Sequence, residues 1–202
     1  MNNLLKERNK LYAKYAEHMP ENANYVQVSF DPPKHGWICM HISVNYKEKC
    51  CLTLSADTEP FYKIREWLVD LVKSECNNSL TRVDCDLNIA TFYFDPILYW
   101  NGYKGHTNID GYCGLFYIYD TDGHKIIIDT LCYVKDIVKA FYISMINYCM
   151  EMKQNKDFVE EWLVHSYGDP VDDDGEPKDL MGFFFYRIQS DLLDFYLRKY
   201  DK

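Results

Sequence analysis

The sequence predicts an α+β fold: a mostly antiparallel sheet built from hairpins, helices packed on one face, and a helical C-terminal extension. Three observations point there. Alternating apolar stretches come in pairs joined by short polar turns, whereas a parallel doubly wound sheet would place a helix between successive strands. Stretches with apolar residues three and four apart precede, divide and follow these pairs. The 202 residues, 48% hydrophobic and 16% aromatic, can fill one core and are too apolar for a disordered chain.

Along the chain, residues 3–18 set Leu4, Leu5, Leu11 and Tyr15 on one side of a helix, and Pro20 prevents its continuation. Val26, Val28 and Phe30 then alternate, and the Asp31-Pro32-Pro33 stretch ends that strand. Ile38, Met40, Ile42 and Val44 alternate with Cys39, His41 and Ser43. After a polar turn the pattern resumes at Leu52 and Leu54, which makes this the clearest hairpin.

Asp57 or Thr58 can cap a helix carrying Phe61, Ile64, Leu68, Leu71 and Val72, with Pro60 in its first turn. Residues 80–87 and 89–94 read as paired strands, and the glycine-bearing stretch 97–112 as a surface connection. Residues 113–119 and 124–131 form a further hairpin around Asp122-Gly123. Val134, Ile137, Val138, Phe141, Met145, Cys149 and Met152 mark a long helix, residues 157–167 a shorter one, and 183–200 a single aromatic-rich closing helix. The whole reads as one domain, with a core over 23–156 and an acidic helical extension over 157–202.

Function classes are narrowed mainly by exclusion. The first ten residues hold charges around only two leucines, so no signal peptide is expected, and no apolar stretch is long enough for a bilayer. A cytoplasmic protein with no membrane contact follows, and its eight cysteines then read as reduced, buried residues. Cys50 and Cys51 are adjacent and should face opposite sides of a strand. No CxxC, HxH or HExxH spacing marks a metal site, and no glycine-rich loop marks a nucleotide site, so no metal or cofactor is expected. A net charge of −9 with dispersed Lys and Arg argues against nucleic acid.

Two motifs invite chemistry and fall short of it. The loop at Asp172, Asp174 and Gly175 matches part of a calcium loop, but Pro170 and Met181 would stand where that loop needs carboxylates. Cys113, with His106 and His124 near it in sequence, could suggest a thiol nucleophile. Such thiols sit at helix N-termini, and residues 115–119 read as a strand. No catalytic residue is assigned.

Charge placement is the remaining signal. Residues 157–179 hold nine acids and one base, Lys178, and so carry −8 of the net −9. Clustering of this kind repels itself unless water, ions or a basic partner screens it. The candidate partner-binding residues are therefore Asp157, Glu160, Glu161, Asp169, Asp172, Asp173, Asp174 and Glu176, with Trp162 and Tyr167 as apolar anchors. The competing reading is a merely solvated helix face and loop.

The run Gly36-Trp-Ile-Cys-Met-His-Ile-Ser43, then Leu52-Thr-Leu-Ser55, then Pro60-Phe-Tyr-Lys-Ile-Arg-Glu-Trp-Leu68 resembles small cytosolic bacterial proteins of the immunity type, which neutralise toxin domains. The likeness covers about a third of the chain and assigns no residue a role. It implies a strand-hairpin-helix pattern and an acidic surface. The expected function is a non-enzymatic protein-binding module, an immunity-like inhibitor facing a partner with a basic surface. The alternatives are a hydrolase-like enzyme with a Cys, His and carboxylate pocket assembled by the fold, or an accessory subunit of a complex.

Overall fold

Alternation gives a strand one apolar side, and burying that side sets the register of the sheet. β2 (Trp37–Val44) buries Ile38, Met40, Ile42 and Val44, while Trp37, Cys39, His41 and Ser43 stay partly exposed. It pairs antiparallel with β1 (Val26–Phe30) and with β3 (Lys47–Ser55), giving a sheet of order β1-β2-β3. The β2–β3 turn holds Asn45 and Tyr46 at φ 50° and 63°. Two successive positive values are the turn whose twist matches paired strands. The computed structural model describes residues 3–17, 23–74, 79–84, 89–96, 113–168, 171 and 178–200. The predicted connection over 97–112 lies outside them.

A second antiparallel sheet joins β4 (Ser79–Asp84), β5 (Ile89–Pro96), β6 (Cys113–Asp120) and β7 (Lys125–Tyr133) in chain order. At its β6–β7 turn, Asp120 Oδ1 accepts hydrogen bonds from the N–H groups of Asp122 and Gly123. A Cβ on Gly123 would stand 2.3 Å from Asp120 Oδ2, so this position needs glycine for space.

Two sheets form where one was expected because α2 (Pro60–Ser74) lies between the strand groups and packs on both. The Phe61 ring is 5.0 Å from Phe30 of the first sheet, and Trp67 meets Phe92 of the second edge-on at 5.7 Å. Neither Asp57 nor Thr58 caps this helix. Residues Ala56–Thr58 form a 3₁₀ turn, and Glu59, at φ 48°, leads into Pro60. The Thr58 hydroxyl instead donates back to the Ser55 carbonyl.

After the second sheet, α3 runs over 134–152 with a π turn at Lys139–Ile143, and α4 runs over 156–167 with another at Val159–Leu163. A widened turn rotates neighbouring residues toward the same side. Phe141 and Tyr142, and likewise Trp162 and Leu163, are thus both buried.

The closing helix is not continuous over 183–200: α5 (Leu180–Ile188) and α6 (Asp191–Tyr200) are separated at Gln189 and Ser190. Ser190 stops the first helix because its N–H donates to the Tyr142 hydroxyl at 3.0 Å, and it starts the second by accepting from the Leu193 N–H at its own Oγ.

Helices α2 to α6 share one core with the inner faces of both sheets. That core takes in Phe158, Trp162, Leu163, Phe184, Ile188 and Leu193 of the C-terminal region. The C-terminal helices α4, α5 and α6 thus pack into this core through their described buried residues. α1 (Asn3–Glu17) stands apart. It lies on the outer face of the second sheet, where Leu11 and Tyr15 form a small cluster with Leu115, Tyr117 and Leu131. Among the described residues, no helix is long and apolar enough to cross a membrane.

Candidate functional site

The acidic region begins at α4, whose N-terminus is capped by Asn155: its side-chain oxygen accepts from the N–H groups of Asp157 and Phe158. Acidic residues suit this first turn because the helix dipole is positive there. Asp157 and Glu160 are exposed. Glu161 is half-buried and turns back on the β1–β2 loop, accepting from the His35 backbone N–H and standing 3.4 Å from its imidazole. Asp179 caps α5, accepting from the Gly182 N–H at 2.8 Å. Asp169, Asp172, Asp173, Asp174 and Glu176 lie outside the described residues, as does the calcium-like stretch.

Trp162 is not a surface anchor. It is 1% exposed and meets the Phe61 ring edge-on at 5.7 Å, four residues after the buried Phe158 on the inward side of α4. Tyr167 is half-buried, with a hydroxyl whose pKa is pushed up to about 12 by burial. Its ring stands edge-on to Phe183 at 4.9 Å.

On α5 the exposed aromatic groups are Phe183 and Tyr186, at 48% and 75%. The reason is geometric. Residues 183–186 read Phe-Phe-Phe-Tyr, and four consecutive rings on a helix point around most of its circumference. Leu180, Phe184 and Ile188, spaced by four, take the inward side and leave Phe183 and Tyr186 outside. That run of aromatics was the available signal for the exposed pair.

α5 is held rigidly behind these rings. The Arg187 guanidinium bonds Glu59 at 2.7 Å and lies over the Tyr62 ring at 3.6 Å from its centroid, and Arg65 Nε donates to the Arg187 carbonyl. Between the end of α3 and the start of α5 lies a cavity of about 180 Å³. Cys149, Met150, Met181 and Phe185 form its walls, with Lys153 and Asp179 as its charged residues.

Two other polar clusters stand apart from this region. On the open face of the first sheet, His41 Nε2 is 3.0 Å from Asp31 and Nδ1 is 3.2 Å from Glu48, which ties β2 to β3 and to the residue that follows β1. Chiefly the Asp31 hydrogen bond, with both carboxylates' charge, raises its pKa against some desolvation. The Cys51 thiol on the same face, though exposed, is pushed up to about 11 by partial desolvation from its neighbours and by a hydrogen bond with Cys39, which disfavours its thiolate.

Cys113 opens strand β6, and burial lifts its pKa to about 11. This is opposite to what a thiol nucleophile needs. His124 occupies the β6–β7 turn at φ 51°, and His106 lies outside the described residues. Cys50 packs against the core while Cys51 is exposed, on opposite sides of β3. Among the described residues no group of three or more His, Cys, Asp or Glu is placed to hold a metal ion.

Comparison with known proteins leaves the geometry to speak for itself: no family model, no curated protein and no solved structure matches the chain.

Proposed function

We propose that the protein is a non-enzymatic binding module. Its acidic C-terminal region, residues 157–179, engages the basic surface of a protein partner, and Phe183 and Tyr186 supply the apolar contacts. The observation that carries this reading is the exposure of those two rings on a braced helix whose N-cap, Asp179, is the last residue of the acidic segment. Aromatic rings on rigid supports dominate binding energy, while clustered charge steers encounter and selects the sign of the partner. Asp157, Glu160 and Asp179, all exposed, provide that charge among the described residues, and Tyr167 supports the Phe183 ring.

An immunity-like inhibitor in a bacterial cytoplasm fits this chemistry, because a toxin domain that acts on nucleic acid presents a basic surface. The test is affinity isolation from the native host with the wild-type chain and with a Phe183→Ala/Tyr186→Ala variant. One basic protein retained by the first and lost by the second supports the reading. Identical recoveries refute it.

A further inference from the structure

The open face of the first sheet carries two cysteines, Cys39 of β2 and Cys51 of β3, and both are free thiols. Cys39 lies opposite Thr53 and Cys51 opposite His41, so the two occupy one diagonal of the β2–β3 ladder. The Cys39 carbonyl accepts from the Asp31 N–H at 2.9 Å, which turns its backbone groups towards β1. Its pairing with Thr53 is therefore of the non-hydrogen-bonded kind, in which facing side chains approach most closely. The right-handed twist of the strands then draws together the diagonal from Cys39 to Cys51. The two thiols accordingly hydrogen-bond to one another.

Thiols in contact on a solvent-facing surface differ chemically from a single buried cysteine. Cys51 is exposed and Cys39 is half-buried, so a small reagent meets Cys51 first. Cys50, its neighbour in sequence, packs on the core from the other side of β3, and Cys132 and Cys149 are buried. β3 lies at the edge of its sheet, paired with β2 alone. No second strand therefore resists the small adjustment that brings the pair to a disulfide's Cβ–Cβ spacing of about 3.5–4.5 Å.

We propose that Cys39 and Cys51 are a redox-active pair that closes to a disulfide by exchange with a low-molecular-weight disulfide such as oxidised glutathione. Cys51 loses its proton to solvent, and its thiolate attacks one glutathione sulfur and releases the other half as a thiolate, which takes up a proton. Cys39 then loses its proton, attacks Cys51 Sγ in the mixed disulfide and displaces the second glutathione. The protein gives up two electrons and two protons, and the small disulfide gains them as two glutathione thiols. The bridge ties β2 covalently to the edge strand β3, and excess reduced thiol reopens it. Desolvation and the neighbouring thiol hold Cys51 protonated, so the exchange is slow near neutral pH and its extent at equilibrium is the quantity to measure.

The test equilibrates the folded protein with oxidised glutathione, blocks the remaining thiols by alkylation and maps the peptides by mass spectrometry, with folding followed by circular dichroism. The wild type should lose two hydrogens, join the peptides that carry Cys39 and Cys51, and return to free thiols on addition of dithiothreitol. Cys39→Ser should stop at a glutathione adduct on Cys51, and Cys50→Ser should bridge as the wild type does. Stable glutathione adducts on both Cys39 and Cys51 of the wild type overturn the pair. So do a bridge that disappears in Cys50→Ser and thiols that stay unreacted while the chain remains folded.

Discussion

Asp95 and Asp129 show how single carboxylate oxygens organise one face of the molecule. Asp95 Oδ2 accepts from the Tyr12 hydroxyl and from Arg8 at 3.1 Å, and Asp129 Oδ2 accepts from the Tyr15 hydroxyl at 2.8 Å and from Lys14. Burial first, then these carboxylates, raise both tyrosine pKa values, so the hydroxyls remain neutral donors. Asp95 is 5% exposed, and charged hydrogen bonds of this kind contribute about 1.5–3 kcal/mol. Asp95→Ala should therefore lower stability by about that amount in urea unfolding. A change well below about 0.5 kcal/mol would show the cluster to be incidental.

His41 gives a pH dependence. Its folded pKa is raised above its unfolded value, chiefly by the Asp31 hydrogen bond. Its stabilising effect is therefore complete below about pH 6.5 and is lost as pH rises through the raised folded value. Urea midpoints measured across that window should fall with pH in the wild type and flatten in an Asp31→Asn/Glu48→Gln variant. Parallel curves would contradict the assignment.

At the scale of elements, the break between α5 and α6 depends on Tyr142. Its hydroxyl accepts from the Ser190 N–H at 3.0 Å, lies 3.4 Å from the Ser190 carbonyl, and has a pKa lifted to about 12 by burial. Tyr142→Phe keeps the packing and removes those partners, so a loss of about 1–3 kcal/mol is expected. Amide exchange should rise locally at 189–193, and uniform protection there would refute the role.

α1 depends strongly on polar attachment, since among its described side chains only Leu11 and Tyr15 are buried. In an Asp95→Asn/Asp129→Asn variant, its amides should exchange faster while those of β2 and β6 are unchanged. Simultaneous loss of protection in both sheets would show that α1 belongs to the cooperative core.

Elements with one solvent side were legible in the sequence. β1, β2, β3 and β5 stand where alternation puts them, β6 and β7 flank the turn that Asp122-Gly123 marks, and the first half of α3 follows its 3.6-residue stripe. The break at Gln189 and Ser190 was hidden, because it is imposed by a tyrosine 48 residues away rather than by local Gly or Pro.

The whole molecule is organised by α2, which joins two sheets through aromatic contacts. Trp67 alone touches Phe92, Phe116 and Phe141. Periodicity identified α2 but could not show that its two ends serve different sheets, because partners across a core leave no mark on local spacing. The binding surface was legible in the same uneven way. Charge counting located the acidic segment, whereas Trp162 fails as an anchor because it lies four residues after Phe158 on the inward stripe of its helix, and on α5 the surface rings are Phe183 and Tyr186. Electrostatic attraction across such a surface weakens as salt shortens the Debye length, while the burial of rings does not.

The most direct measurement is therefore the dissociation constant of the isolated basic partner, titrated between about 50 and about 500 mM salt, with the wild type and with Phe183→Ala/Tyr186→Ala. Affinity should fall steeply with salt for both proteins, and the variant should bind more weakly at every concentration. A salt-independent constant that is equal for the two proteins would contradict recognition through the acidic and aromatic surface.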